Sequence, residues 1–167
     1  MLNLKANLRN RLRGAQRIAV LAVGSALRGD DAAGLLAAAE LQKRLIRRGP
    51  GPEIAVFVGG TCPENLSGEI KKFQPTHLVI LDAADIGRGA GQAELIDPDH
   101  VGLNASVSTH SLPVKVLTDY LRHFVSCQVV IVGIQPSTRE FGREPSEPVV
   151  RAAADVAAAI VEAAGSD

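Results

Sequence analysis

Asp30 and Asp31 stand side by side where an apolar run, Ile18–Val23, gives way to a glycine-bounded turn between Gly24 and Gly29. Asp82 closes a second apolar run, His77–Leu81, and Asp85 follows three residues later. His110 lies in Ser108-Thr109-His110-Ser111, and Gln135 follows a further apolar run in Gly133-Ile134-Gln135-Pro136. Carboxylates and an imidazole are ligands that a divalent transition metal accepts. Their spacing is neither that of a zinc finger nor that of a helical HExxH site, so a metal centre here requires the fold to gather them. Adjacent residues do not point the same way. One of Asp30 and Asp31 can therefore meet Asp82, while the other caps a helix or orients the loop. Taken singly, each has an ordinary structural role: an acid pair at a helix start caps it and suits its dipole. Asp82 at a strand end fits an Asx turn, Gly59-Gly60 a turn, and His110 a loop histidine. GxSxG, GxxxxGK[ST] and GxGxxG are all absent, which removes the nucleophile elbow, the phosphate loop and the dinucleotide fingerprint. Ser25, Ser108 and Ser111 show no His–Asp order that singles one out, although Ser111 beside His110 stays open as a nucleophile.

The elements that must position these residues alternate. Leu4, Leu8 and Leu12 recur at spacing four among Lys5, Arg9, Arg11 and Arg13, which predicts a short amphipathic helix over residues 2–13 with a basic outer face. Ile18–Val23 is a continuous apolar run suited to a central parallel strand. A helix follows, with Asp30 as its N-cap and Leu36, Ala37, Leu41 and Leu45 on its apolar side, ending before Gly49-Pro50-Gly51-Pro52. Ile54–Val58 is the second strand, Asn65–Phe73 a short helix and His77–Leu81 the third strand. Gln92–Ile96 comes too soon after it for a helical crossover and is expected as an antiparallel edge strand. A helix over Pro113–Phe124, a strand over Gln128–Val132, a polar loop over 137–145 and a last helix capped by Ser146 complete the chain. The pattern is that of a three-layer α/β/α sandwich around a mostly parallel sheet with one antiparallel edge strand. Right-handed crossovers then bring Asp30, Asp31, Gly59, Gly60, Asp82, Asp85 and Gln135 to one carboxyl edge, where open α/β sheets keep their sites.

The chain has 167 residues, enough for one domain with a sizeable core. Eighteen basic residues balance eighteen acidic ones, so no net field draws nucleic acid or an anionic membrane. Four Phe, one Tyr and no Trp leave little for a base-stacking surface. Cys62 and Cys127 are far apart and form no CxxC pair, which points to a reducing cytoplasm. No apolar run approaches a membrane span, and the amino-terminal stretch does not read as a secretory signal.

Val23-Gly24-Ser25-Ala26-Leu27-Arg28-Gly29-Asp30-Asp31-Ala32-Ala33-Gly34 resembles the opening motif of the [NiFe]-hydrogenase maturation endopeptidases. Gly59-Gly60-Thr61-Cys62-Pro63-Glu64, Leu81-Asp82-Ala83-Ala84-Asp85, Thr109-His110-Ser111-Leu112-Pro113 and Gly133-Ile134-Gln135-Pro136 match further blocks of that family in the same order. The likeness covers about Ala19 to Glu162 and is similar to the branch that processes the large subunit of hydrogenase 3. The resemblance implies an α/β/α protein with a five-stranded sheet, and a cytoplasmic protease that removes a C-terminal extension from the hydrogenase large-subunit precursor after nickel insertion. It implies that Asp31, Asp82 and His110 contact nickel that the precursor already holds, so that nickel arrives with the substrate and the free enzyme need hold none. Asp30, Asp85, Gly59, Gly60 and Gln135 are then expected to support those ligands or the substrate. Two positions depart from the family pattern: Ser25 stands where Asn is usual, and Ala32 where Gly is usual. Ala32 is expected in a first helical turn, where it is tolerated.

The expected organisation is a helix over residues 1–14 docked on a single peptidase domain over 15–167, working as a monomer with the precursor as partner. Two rivals belong to other classes. One is a non-cleaving, nickel-dependent checkpoint or chaperone that binds the precursor. The other is an unrelated α/β hydrolase using the same sheet edge for a small substrate.

Overall fold

The structure is a computed structural model, and it describes residues 2–97, 108–109 and 126–165. In chain order the elements are α1 (Leu2–Arg11), β1 (Arg17–Val23), α2 (Ala33–Leu45), β2 (Glu53–Gly60), α3 (Ser67–Phe73), β3 (His77–Asp85), β4 (Ala93–Ile96), β5 (Ser108–Thr109), β6 (Gln128–Ile134) and α4 (Glu147–Ala164). Short 3-10 turns, Gly29–Ala32 and Pro63–Leu66, lead into α2 and α3. The main sheet runs β2-β1-β3-β6-β4, and β5 pairs with β3 off that path. β1, β2, β3 and β6 are parallel, while β4 runs antiparallel on the edge beside β6, as its short connection requires.

The central strands are buried on both faces, which is why they read as unbroken apolar runs. Successive side chains alternate between the faces. Ile18, Val20, Val79, Leu81, Val130 and Val132 face α2, α4 and α1, meeting Leu41, Val156, Ile160 and Leu8. Ala19, Leu21, Leu78, Ile80, Val129 and Ile131 face the other way, toward Ile70 and Phe73 of α3. Helices thus cover both faces, in a three-layer sandwich. Leu4, Leu8 and Leu12 of the amino-terminal segment are buried in the first of these cores, and Lys5 pairs with Glu162 of α4 at 3.0 Å. No helix among the described residues is long and apolar enough to cross a membrane.

From β1 the chain reaches β2 through α2 on one face, then returns past β1 to β3 through α3 on the other. The carboxyl ends of β1 and β3 therefore flank the point where the winding reverses, which is where such sheets open a crevice. Two glycines shape that point. Gly24 has φ +132°, and a Cβ there would lie 1.9 Å from the Asp31 carbonyl oxygen, so the turn closes tightly on itself. Gly34 lets the first turn of α2 rest on the strand ends: a Cβ would meet Leu81 O at 2.3 Å and Val23 O at 2.5 Å.

Several boundaries differ from the sequence reading. β3 runs on to Asp85, so Asp82 lies within the strand, paired in register with Gly133, and Asp85 is its last residue. Gly59 and Gly60 belong to β2, with a bulge at Gly59: Ala22 pairs with Val58 and the next residue, Val23, with Gly60. The predicted helix over Pro113–Phe124 lies outside the described residues. Ala32 has φ −74°, a conformation open to any residue.

Gly34→Ala provides a test with a diagnostic sign. Helix propensity alone favours alanine by about 1 kcal/mol. Contact with the Leu81 and Val23 carbonyls reverses this, and urea unfolding is expected to show a loss of about 2–3 kcal/mol.

Candidate active site

Asp30 is fully buried, with a relative exposure of 0%. It does not cap α2, whose first turn has no side-chain cap. The 3-10 turn Gly29–Ala32 places Asp30 too early, and its carboxylate turns the other way, into the loop between β6 and α4. Oδ2 accepts from Ser137 N–H at 2.7 Å, Thr138 N–H at 3.2 Å and Ser146 Oγ at 2.9 Å, while Oδ1 accepts from Ser146 N–H at 2.5 Å. The Asp30 N–H donates back to Thr138 O at 2.9 Å, and Gly29 N–H donates to Arg143 O at 3.1 Å. Ser146 is the N-cap residue of α4 by position, but its hydroxyl serves Asp30 and makes no cap bond. Burial pushes the Asp30 carboxyl up. The bonds from Ser146, Ser137 and Thr138 outweigh that, and it titrates below its ordinary 3.8.

Asp82 sits in the opposite situation. It is 2% exposed, and its Oδ2 has no hydrogen-bond partner among the described residues. Burial first, and then the neighbouring Asp31 charge, push its carboxyl up to about 7; the Ala83 N–H and the Arg139 charge pull weakly the other way. Asp31 lies beside it with 16% of its side chain exposed, and its Oδ1 is 3.7 Å from Arg139 Nε. Arg139 also donates from Nη2 to Ala83 O at 3.1 Å, which ties it to the strand that carries Asp82. The fold thus brings Asp31 and Asp82 together and separates Asp30 from them.

The remaining residues occupy distinct places. Gln135 Oε1 accepts from Ile86 N–H at 2.8 Å and Arg88 N–H at 3.2 Å, and Nε2 donates to Asp85 Oδ1 at 3.3 Å. Asp85 also receives the Gly87 N–H at 3.2 Å, so this pair shapes the loop beyond β3. Gly60 O accepts from Gly24 N–H at 3.0 Å, joining the end of β2 to the acid-bearing turn. His110 lies outside the described residues; its predecessor Thr109, in β5, pairs with Ala84, two residues beyond Asp82. Among the described residues no group of three or more His, Cys, Asp or Glu gathers as a metal site. Arg139 is the residue that the sequence reading missed. Its only signal there was membership of the polar loop that follows Gln135.

A buried carboxyl with one orphaned oxygen, beside a second acid at the reversal point of a parallel sheet, marks this edge of an α/β protein as the candidate site. The family model for hydrogenase maturation proteases matches residues 36–163. The hydrogenase 3 maturation protease of Escherichia coli is 34% identical over 130 residues, spanning 78% of this chain and 80% of that protein. The crystal structure of the [NiFe] hydrogenase maturation protease HycI from Thermococcus kodakarensis superposes with a TM-score of 0.82 at 31% identity, covering 96% of this chain and 99% of that one. The solution structure of the endopeptidase HycI from Escherichia coli gives a TM-score of 0.71 at 31% identity, covering 85% and 87%. The chain belongs to the hydrogenase maturation protease family, and it is a hydrolase of the endopeptidase kind.

Two stability measurements follow from the acids. Asp30→Ala strands the Ser137, Thr138 and Ser146 donors, and urea unfolding at pH 7 is expected to show a loss of about 3 kcal/mol or more. Because the folded pKa of Asp30 is depressed, its contribution is present above the unfolded value and fades as pH falls below about 4. The gap between the two proteins should therefore narrow in acid. Asp82 has the reverse sign: its folded pKa is raised, so its contribution is full below about pH 4 and lost as pH rises toward about 7. Asp82→Asn removes that loss, and at pH 8 the variant should be the more stable protein by a few kcal/mol, on the order of 3.

Proposed function

We propose that this chain removes a C-terminal extension from the large-subunit precursor of a [NiFe]-hydrogenase after nickel has been inserted. Asp31, Asp82 and His110 contact nickel that the precursor holds. The observation that carries this reading is the buried Asp82 carboxyl, with Oδ2 unpartnered and Asp31 beside it, at the reversal point of a chain from this family. Nickel is part of the substrate here and accepts carboxylate oxygen and imidazole nitrogen. It can polarise the scissile carbonyl or lower the pKa of a bound water.

The chain's own residues account for the conditional step. In the free protein Asp82 is held partly protonated near neutral pH by burial and by Asp31. A dication delivered by the precursor displaces that proton and satisfies the orphaned oxygen. A precursor without nickel offers nothing to displace that proton, and the buried oxygen stays without a partner. Hydrolysis is thus aspartic in its residues and metal-dependent through its substrate. His110 as third ligand rests on the family likeness, and the pairing of Thr109 with Ala84 supports it. Asp30 supports the site from behind, and Gln135 with Asp85 braces the loop beyond β3. Gly59 packs against Pro63, where a Cβ would come within 2.8 Å, and Gly60 ties the end of β2 to the acid-bearing turn, so both support the site. The same reading makes the enzyme a cytoplasmic monomer whose partner is the precursor.

The test is incubation of the purified protein with nickel-loaded precursor, followed by mass spectrometry of the precursor. A C-terminal mass loss is expected with nickel-loaded precursor and none with the nickel-free form. Asp31→Ala, Asp82→Asn and His110→Ala should each slow processing by about 100-fold or more. Tight binding with no mass loss would replace the protease reading with the checkpoint one.

A further inference from the structure

Arg139 stands where a cation belongs. Its Nε is 3.7 Å from Asp31 Oδ1, too long for a hydrogen bond, and that nitrogen is buried without any hydrogen-bond partner among the described residues. Nη2 is anchored on Ala83 O at 3.1 Å, next to Asp82. The Arg139 side chain is only 18% exposed, and its loop is tied to the turn bearing Asp31 through the Asp30 carboxylate and the Asp30 N–H bond to Thr138 O. The guanidinium therefore sits beside the acid pair by construction, as a charge neighbour of Asp31 without a hydrogen bond to it.

We infer that Arg139 guards the acid pair, its fixed positive charge weakening the site for free divalent metal so that nickel is accepted when the precursor presents it. This rests on the reading of Asp31 and Asp82 as nickel-contacting groups. An arginine stays charged at every physiological pH, so the guard cannot be lifted by titration. Two ionised acids offer a dication two negative charges; with Arg139 beside them the net is one. A site of so few ligands and reduced charge captures a free ion poorly. A precursor brings nickel with part of its coordination already filled and adds its own contact surface, so it does not depend on the acids for affinity. The guard thus makes the pair a reader of bound nickel and keeps it from scavenging free metal. Arg139 acts through Asp31 and is a positioning residue.

The experiment is calorimetric titration of the purified chain with nickel chloride alone. Arg139→Gln is expected to bind Ni2+ at least about tenfold more tightly than the wild type, because a neighbouring charge at this separation has been removed. Arg139→Lys keeps the charge and should stay near the wild type, which a purely structural role does not predict. Adding Asp31→Ala to Arg139→Gln should abolish the gain. Equal binding by wild type and Arg139→Gln would overturn the inference, as would a gain that survives Asp31→Ala. If thermal melting shows Arg139→Gln to be unfolded, Arg139→Met gives the same neutral site with an aliphatic stem. Nickel binding is read here without the precursor. An Asp31-dependent gain alongside precursor cleavage that ignores Asp31 would support the guard and count against the processing role alone.

Discussion

Asp30 puts a carboxylate into the interior and surrounds it with donors from three residues of a loop more than a hundred positions away. Ser137, Thr138 and Ser146 all close on it. A buried carboxylate is costly unless it is fully hydrogen-bonded, and here the bonds from those donors satisfy it. The result is a rigid joint between the β1–α2 turn and the β6–α4 loop. That joint sets the start of α4 and places Arg139 beside Asp31.

The second acid of the same dipeptide has a different fate because the 3-10 turn rotates it to the other side. Asp31 faces the crevice at the reversal of the sheet, where it meets Asp82 from the next strand but one in sequence. Burying Asp82 with one oxygen unpartnered works against folding, and the Asp31 charge adds to that cost. Such an arrangement is tolerated where function requires it, because the surrounding core is well packed. Gly34 is the packing counterpart of this bargain. It lets the first turn of α2, just after Asp31, rest directly on the ends of β1 and β3, next to Asp82.

The division of labour between loops and sheet also explains the auxiliary residues. Gln135, at the end of β6, uses both ends of its amide to hold the Ile86–Arg88 loop and Asp85. The sheet thereby carries its order one step beyond the strands, on the side of the crevice away from Asp31. Gly60 does the equivalent at the other side, through its carbonyl to Gly24.

Much of this was legible in one dimension. Continuous apolar runs marked the buried strands, because a strand covered on both faces has no polar side to show. The short spacing before Ala93–Ile96 marked an antiparallel edge, because no crossover helix fits there. The ordered blocks around Asp31, Asp82, His110 and Gln135 marked the family. What the sequence could not assign was the partner of each acid. Asp30 looks like a helix cap, since the helix follows it immediately, yet its donors come from residues 137–146. Asp82 looks like a turn residue, yet β3 continues past it and buries it. Arg139 carries no local signal at all. Local pattern determined the elements and their order, because periodicity and turn chemistry act over a few residues. Only the tertiary structure decided which carboxylate is satisfied and which is left with an orphaned oxygen, because hydrogen bonds and charges are settled between segments that meet only when the sheet is assembled.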